Sequence, residues 1–141
     1  MKDKYQVIVI GAGPAGYHAA IRCAQLGLST ACIDKMISKD GQPTLGGTCL
    51  NWGCIPSKTL LDASYKFHEL DQGMERIGIS TGKVSIDVAK MMENKEAVVK
   101  QLTGGVSALL SGNGVDILAG TGKLLANKRV LFTDHDGVES E

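Results

Sequence analysis

Residues 5–34, YQVIVIGAGPAGYHAAIRCAQLGLSTACID, decide the fold of this chain. Residues 5–10 are a β-branched run without charge, which predicts a strand buried on both faces of a parallel sheet. The glycine-rich residues 11–16 lead into a helix that extends to Leu26, and residues 29–34 form a second short strand. Together these elements predict a βαβ unit of about the usual length.

Three glycines between the first strand and the helix form a GxGxxG pattern. Gly11 would allow the tight turn, Gly13 would let the backbone approach a pyrophosphate, and Gly16 would let the helix lie close to the strand. The helix N-terminus offers free N–H groups and a partial positive charge to a diphosphate. Asp34, at the end of the second strand, can hold the ribose hydroxyls. The pattern predicts a dinucleotide site, with a plain turn as the alternative, and by itself it does not separate FAD from NAD.

Two further helices are predicted downstream. One comprises about residues 54–70, and the other follows the N-cap residue Asp87 and reaches about residue 111. Gly104 and Gly105 interrupt the longer helix at a cost of roughly 2 kcal/mol relative to alanine. We therefore expect either that the helix bends there or that something packs closely against its backbone.

The last part of the chain is expected to form a small β-meander with turns at Gly120 and Asn127. Its predicted strands are residues 115–119, 122–125 and 129–133. Residues 35–45 form a polar loop. The elements together predict an α/β fold, a Rossmann-like, three-layer βαβ domain with a small β-meander.

The charge balance limits the possible partners. Lys plus Arg equal Asp plus Glu at 15 each, so no field of one sign would steer the chain to nucleic acid or to an acidic membrane. No apolar run approaches the length that spans a bilayer, and the strand that begins at Tyr5 leaves no room for a signal or transit peptide. We expect a cytoplasmic protein whose partner is a small molecule or another protein.

Cys49 and Cys54 lie in residues 46–58, GGTCLNWGCIPSK. The CxxxxC spacing is unsuited to most zinc sites and no further ligands stand close by, so no metal site is predicted. Five residues of ideal helix rise about 7.5 Å, more than the usual Cα separation of a disulfide. If the pair bridges, the segment is therefore not a regular helix, and Gly53 and Pro56 fit that departure.

A disulfide at a helix N-terminus would be reactive, because the helix dipole lowers the pKa of the nearer sulfur. The alternative is a pair of inert buried cysteines. That description suits Cys23 and Cys32, which lie in the first helix and the second strand.

The GxGxxG unit and the CxxxxC helix together resemble the pyridine nucleotide-disulfide oxidoreductases, and the resemblance covers the whole chain. Residues 50, 51 and 53–58 look more like the dihydrolipoamide dehydrogenase branch than like glutathione reductases, with mercuric reductases as the closest competitor. The resemblance implies an FAD cofactor. It also implies NAD as a co-substrate whose site is not in this chain.

The resemblance further implies roles for individual residues. Cys49 would be the thiol that exchanges with the substrate, Cys54 the charge-transfer thiol against the flavin, and Lys58 would reach the flavin near its reactive nitrogen. Asp34 stands where the family usually has Glu, a change that could loosen the ribose contact. Trp52 replaces a small aliphatic residue and could affect access to the disulfide. The full set of predicted cofactor-binding residues is Gly11, Gly13, Pro14, Ala15, Gly16, Asp34, Lys35, Gly47, Thr48, Lys58 and Gly122, the last through its backbone near the adenine.

The implied reaction is the oxidation of dihydrolipoamide to lipoamide with NAD+, through a redox-active Cys49–Cys54 disulfide and FAD. Its partners would be lipoyl domains of 2-oxo acid dehydrogenase complexes or of the glycine cleavage system, with a homodimer at full length and neither nucleic acid nor membrane. Alternatives are a mercuric or glutathione-type reductase and a naturally short dinucleotide-binding protein.

The resemblance also implies what the chain lacks. Residues 1–141 would be the N-terminal portion of a truncated FAD-binding domain, without the NAD-binding and dimer-interface domains. The family's catalytic base is a histidine from the partner subunit, and His18, His68 and His135 do not lie in its motif. We therefore expect the chain alone to be inactive.

Overall fold

A five-stranded sheet with strand order β1-β2-β3-β4-β5 organises the fold. The structure is a computed structural model and describes residues 2, 4–38 and 41–141. The strands are β1 Val7–Ile10, β2 Thr30–Asp34, β3 Asp116–Leu124, β4 Val130–Asp134 and β5 Glu139–Ser140. The helices are α1 Pro14–Gln25, α2 Gly47–Asn51, α3 Cys54–Asp71 and α4 Val88–Gly112, with single 3₁₀ turns at Glu75–Ile77 and Ala126–Lys128.

The predicted βαβ unit is confirmed. β1 and β2 pair in parallel, and α1 begins at Pro14, which is suited to a first helical turn because it has no N–H to satisfy. Gly27 follows the helix with a φ of +82°, a left-handed conformation that glycine adopts without strain. The two ends of α1 are therefore determined by local sequence signals, a proline at its start and a glycine just after its end.

The burial predicted for residues 5–10 is wrong. β1 is half-buried and Ile10 is 48 % exposed, because β1 lies at the edge of the sheet. Its neighbour β2 pairs with β1 on one side and with β3 on the other, both in parallel, and Thr30 to Ile33 are buried. The two-sided burial that an uncharged β-branched run indicates thus belongs to β2 in this chain.

The core lies between the parallel strands and the helices on one face of the sheet. It contains Ala20 from α1, Cys32 from β2 and Leu110 from α4, each at most 1 % exposed. Ile33 is equally buried but lies outside this cluster, because successive side chains of a strand point to opposite faces.

The second half of β3 covers the opposite face of the sheet. A Cβ atom at Gly122 would lie 3.0 Å from Ile33 Cδ1 and 3.2 Å from Ile10 Cγ1, so this strand passes directly over both side chains. Helices on one face and the meander on the other give the predicted three-layer arrangement.

The turn predicted at Gly120 is wrong. The two strands predicted for residues 115–119 and 122–125 are one continuous strand, β3, which pairs with β2 through its first half and with β4 through its second. A Cβ atom at Gly120 would collide with the carbonyl oxygen of Thr133 and lie 2.7 Å from Phe132 Cε2. This glycine therefore permits close packing against β4. The turn at Asn127 is confirmed, and Asn127 has a φ of 58°.

The long helix α4 begins as predicted, with the Asp87 side chain accepting a hydrogen bond from the Lys90 N–H at 3.1 Å. It continues through Gly104 and Gly105 without interruption. A Cβ atom at either glycine would meet nothing within 4 Å in the part of the chain that the structure describes, so the expected close packing is wrong. The short helix α2 and β5 were not predicted. Among the described residues, no helix is long and apolar enough to cross a membrane.

Candidate functional site

The turn between β1 and α1 has a geometry that requires glycine. Gly11 has a φ of +100°, and a Cβ atom at Gly16 would overlap the carbonyl oxygen of Gly11. A Cβ atom at Gly47 would lie 2.7 Å from the Gly13 Cα atom, so the start of α2 lies directly against the start of α1. The roles predicted for Gly11 and Gly16 are therefore visible in the backbone, and Gly13 permits a close approach to Gly47.

The N-terminus of α1 remains open to an acceptor. Gly13 is its N-cap, Pro14 occupies its first turn, and among the described residues no side chain caps this end. The N–H groups of Ala15 and Gly16 belong to the first turn, where a helix has no internal acceptors. An anion at this position would meet these N–H groups and the positive end of the helix dipole.

Asp34 connects this turn to the end of β2. Its Oδ2 atom accepts a hydrogen bond from the Ala12 N–H at 2.6 Å, and its Oδ1 atom accepts one from the Met36 N–H at 2.9 Å. An ionised carboxylate has about four acceptor positions, so two hydrogen bonds leave capacity for hydroxyl donors. Asp34 thus has a structural role that the sequence pattern did not indicate, beside the predicted contact with ribose.

We expect the substitution Asp34→Ala to lower the free energy of unfolding by about 2 kcal/mol, because two backbone donors lose a charged acceptor. Asp34→Asn keeps one acceptor oxygen and should lose roughly half of that amount. Urea unfolding followed by circular dichroism measures both values. Equal stability of Asp34→Ala and the unsubstituted protein would contradict this role of Asp34.

A cleft of about 420 Å³ lies beside Asp34, within the size range of ligand pockets. Six of the predicted cofactor-binding residues line it, and these are Gly11, Asp34, Lys35, Gly47, Thr48 and Gly122. The other lining residues are Ile10, Ile33, Met36, Trp52, Gly120 and Thr121. The predicted residues Gly13, Pro14, Ala15, Gly16 and Lys58 are not among them. The first four form the adjoining turn and helix start, and Lys58 lies on α3.

Cys49 and Cys54 flank a break between two helices. α2 ends at Asn51, and Gly53 has a φ of −110° and a ψ of −107° before α3 begins at Cys54. The segment therefore departs from a regular helix, as expected from the sequence for a bridged pair. All four cysteines are free thiols in the structure, with Cys49 half-buried and Cys54 exposed.

The thiols of Cys49 and Cys54 lie close enough to interact. The pKa of Cys49 is raised above its ordinary value, chiefly because its thiol donates a hydrogen bond to the Cys54 sulfur. The Cys54 backbone N–H and the charge of Lys58 act in the opposite direction and are outweighed.

Cys32 illustrates the inert alternative. Burial, together with the neighbouring charge of Asp34, raises its pKa to about 11. Its thiol therefore stays protonated at neutral pH, and a protonated thiol is a poor nucleophile. Among the four cysteines of the chain, only Cys49 and Cys54 combine a mutual interaction with access to solvent.

The sequence matches a family model described as pyridine nucleotide-disulphide oxidoreductase over residues 5–139. The chain belongs to the pyridine nucleotide-disulphide oxidoreductases. A dihydrolipoyl dehydrogenase of Cupriavidus necator is 46 % identical over 134 residues, which are 94 % of this chain and 28 % of that protein. A dihydrolipoyl dehydrogenase of Trypanosoma brucei brucei is 50 % identical over 119 residues, which are 84 % of this chain and 24 % of that protein.

A third relative of this pyridine nucleotide-disulphide oxidoreductase is not named as a dihydrolipoyl dehydrogenase. The leghemoglobin reductase of Vigna unguiculata is 44 % identical over 135 residues, which are 96 % of this chain and 25 % of that protein. The chain thus spans about a quarter of the length of the curated relatives that it matches.

Some lining residues of the cleft in this oxidoreductase were not predicted as site residues. Ile10 and Met36 lie at the carboxyl ends of parallel strands, where open α/β sheets bind ligands, so this rule could have identified them. Gly120 and Thr121 were missed because the sequence pattern assigned them to a turn. Trp52 was noted as unusual, but no sequence signal placed it in the cleft.

Proposed function

We propose that the complete protein oxidises dihydrolipoamide to lipoamide with NAD+, using FAD and a redox-active Cys49–Cys54 disulfide. The observation that carries the proposal is the interaction between the two thiols at a helix break, one to seven residues along the chain from Gly47 and Thr48 in the cleft lining. The identity with dihydrolipoyl dehydrogenases over nearly the whole chain supports the same substrate.

The residues present fit a dinucleotide. Gly16 and Gly47 lie where any Cβ atom would strike backbone, so the start of α1 is held close to β1 and α2. The N–H groups of Ala15 and Gly16 would hold a diphosphate, and Asp34 would accept hydrogen bonds from ribose hydroxyls. Bound FAD would supply the acceptor for the electron pair that the dithiol releases.

The chemistry of the cysteines follows from thiol-disulfide exchange. A thiolate of dihydrolipoamide attacks the Cys49 sulfur, the Cys49–Cys54 bond breaks, and Cys54 leaves as a thiolate. The second thiolate of the substrate then attacks its own sulfur in the mixed disulfide, which releases lipoamide and the Cys49 thiol. The substrate loses two electrons and two protons, and the cysteine pair gains the electrons. Cys49 takes up one of the two substrate protons, and the other goes to a base that we place outside this chain.

A substrate can reach the cysteine pair from solvent, because Cys54 is exposed and Cys49 is half-buried. Because the substrate is carried on a lipoyl domain in this proposal, the pair must be reached from the protein surface. We place the NAD+ site, the dimer interface and the base in the remainder of the complete protein.

The absorption spectrum of the purified complete protein tests the proposal. We expect a flavin spectrum that gains a long-wavelength charge-transfer band when dihydrolipoamide is added, because the Cys54 thiolate formed by the exchange would be available to the flavin as an electron donor. A protein that remains colourless after addition of FAD would contradict the flavoenzyme assignment. A flavin spectrum that does not respond to dihydrolipoamide, but responds to NADPH together with oxidised glutathione or mercuric ion, would keep the flavoenzyme assignment. It would show that the substrate is not dihydrolipoamide.

A further inference from the structure

Trp52 is the only tryptophan of the chain and lies in the wall of the dinucleotide cleft. Its side chain is 58 % exposed, although large aromatic side chains are usually buried in a protein core or a binding site. The sequence suggested an effect on access to the disulfide. The cleft lining, however, contains Trp52 together with Asp34 and Gly122, and it contains neither Cys49 nor Cys54.

The backbone of Trp52 is fixed by two hydrogen bonds to one acceptor. The Trp52 N–H donates to the Thr48 carbonyl oxygen at 2.9 Å, and the Gly53 N–H donates to the same oxygen at 2.7 Å. This arrangement ends α2 and fixes the root of the indole side chain beside Thr48, which also lines the cleft. An aromatic side chain has only two rotatable bonds, so the indole loses little conformational entropy when a ligand covers it.

The other lining residues define what the indole can contact. Gly120 and Gly122 have no side chains, and Ile10 and Ile33 provide an apolar surface beneath Gly122. Asp34 supplies an acceptor for hydroxyl groups at the same cleft. A carboxylate for a sugar, an apolar surface and an exposed aromatic face are the features that recognise a nucleoside.

We propose that Trp52 binds the adenosine half of the dinucleotide by packing its indole ring against the adenine, and that it raises the affinity for FAD. This inference rests on the proposed function for the identity of the dinucleotide. It assigns to Trp52 a role in cofactor affinity and none in thiol-disulfide exchange.

The test measures binding of FAD and of ADP to the complete apoprotein by calorimetry. ADP contains the adenosine and the diphosphate but no flavin. Trp52→Leu should raise the Kd of both probes roughly 5- to 100-fold, as expected for loss of one base-aromatic contact. Trp52→Phe retains a ring and should stay within about threefold of the unsubstituted protein.

A matched control is Tyr65→Leu, since Tyr65 is 60 % exposed on α3 and is absent from the cleft lining. It should leave both Kd values unchanged. Circular dichroism of each variant establishes that it is folded, which the exposure of both side chains favours.

The outcomes separate this inference from the proposed function. Unchanged FAD and ADP affinity in Trp52→Leu would overturn the role of Trp52 and leave the flavoenzyme intact. Binding of ADP that depends on Trp52, without any binding of FAD, would support the adenosine contact and overturn the proposed function. A protein that binds neither probe would overturn both.

Discussion

Replacement of Cys54 by serine should lower NAD+-linked oxidation of dihydrolipoamide by the complete protein at least about 1000-fold. Without the second sulfur, Cys49 cannot form the intramolecular disulfide that accepts the electron pair, and serine cannot replace it because its hydroxyl is not reversibly oxidised. The rate is followed through the absorbance of NADH. Peptide mapping of the oxidised, unsubstituted protein by mass spectrometry should place a disulfide between Cys49 and Cys54.

The control for this variant is Cys23→Ser, a thiol replacement in α1 at a half-buried residue. Its activity should remain within about twofold of the unsubstituted protein, because Cys23 has no part in the exchange. If Cys54→Ser kept a tenth or more of the activity, roughly, the exchange would not require this sulfur.

Replacement of Gly16 by alanine should lower the free energy of unfolding by about 3 kcal/mol and abolish the binding of FAD. The added Cβ atom would overlap the Gly11 carbonyl oxygen and lie 2.9 Å from the Gly11 carbonyl carbon. Both atoms belong to the backbone, so the collision is relieved only if the turn between β1 and α1 moves away from α1. Urea unfolding measures the stability, and flavin absorbance after gel filtration measures the bound cofactor.

The same substitution at Gly105 should have the opposite effect on the free energy of unfolding. A Cβ atom there meets nothing within 4 Å in the described part of the chain, and the residue lies inside α4. Gly105→Ala should therefore raise the free energy of unfolding by roughly 1 kcal/mol, the helix propensity difference between the two residues. A stabilising Gly16→Ala variant would show that the turn does not have the described geometry.

The helices could be predicted closely because their ends depend on nearby residues. Gly27 adopts a left-handed conformation just after α1, and Asp87 caps α4 through a hydrogen bond to a residue three positions later. Such interactions depend on a few neighbouring positions and leave a readable pattern. The dinucleotide turn was predictable for the same reason, since Gly11 and Gly16 meet each other within one turn.

The sheet was harder to predict because its pairings join distant residues. Nothing near Gly120 indicates that Phe132 and Thr133 will pack against it, and so its glycine resembled a turn. The exposure of β1 likewise depends on where it lies in the strand order. Trp52 and residues 120–122 of β3 line the same cleft although they are distant in sequence, and no local pattern encodes that proximity.

The single strand β3 contributes both to the sheet core and to the wall of the cleft. Residues 116–119 are paired with β2, while residues 120–122 form part of the cleft wall, and no loop separates the two segments. Opening the wall therefore strains the hydrogen bonds that hold β3 against β2, so both segments belong to one cooperative unit of local unfolding. We therefore expect a nucleotide that binds this wall to slow the exchange of amide hydrogens in residues 116–119 as well, beyond the atoms that it touches.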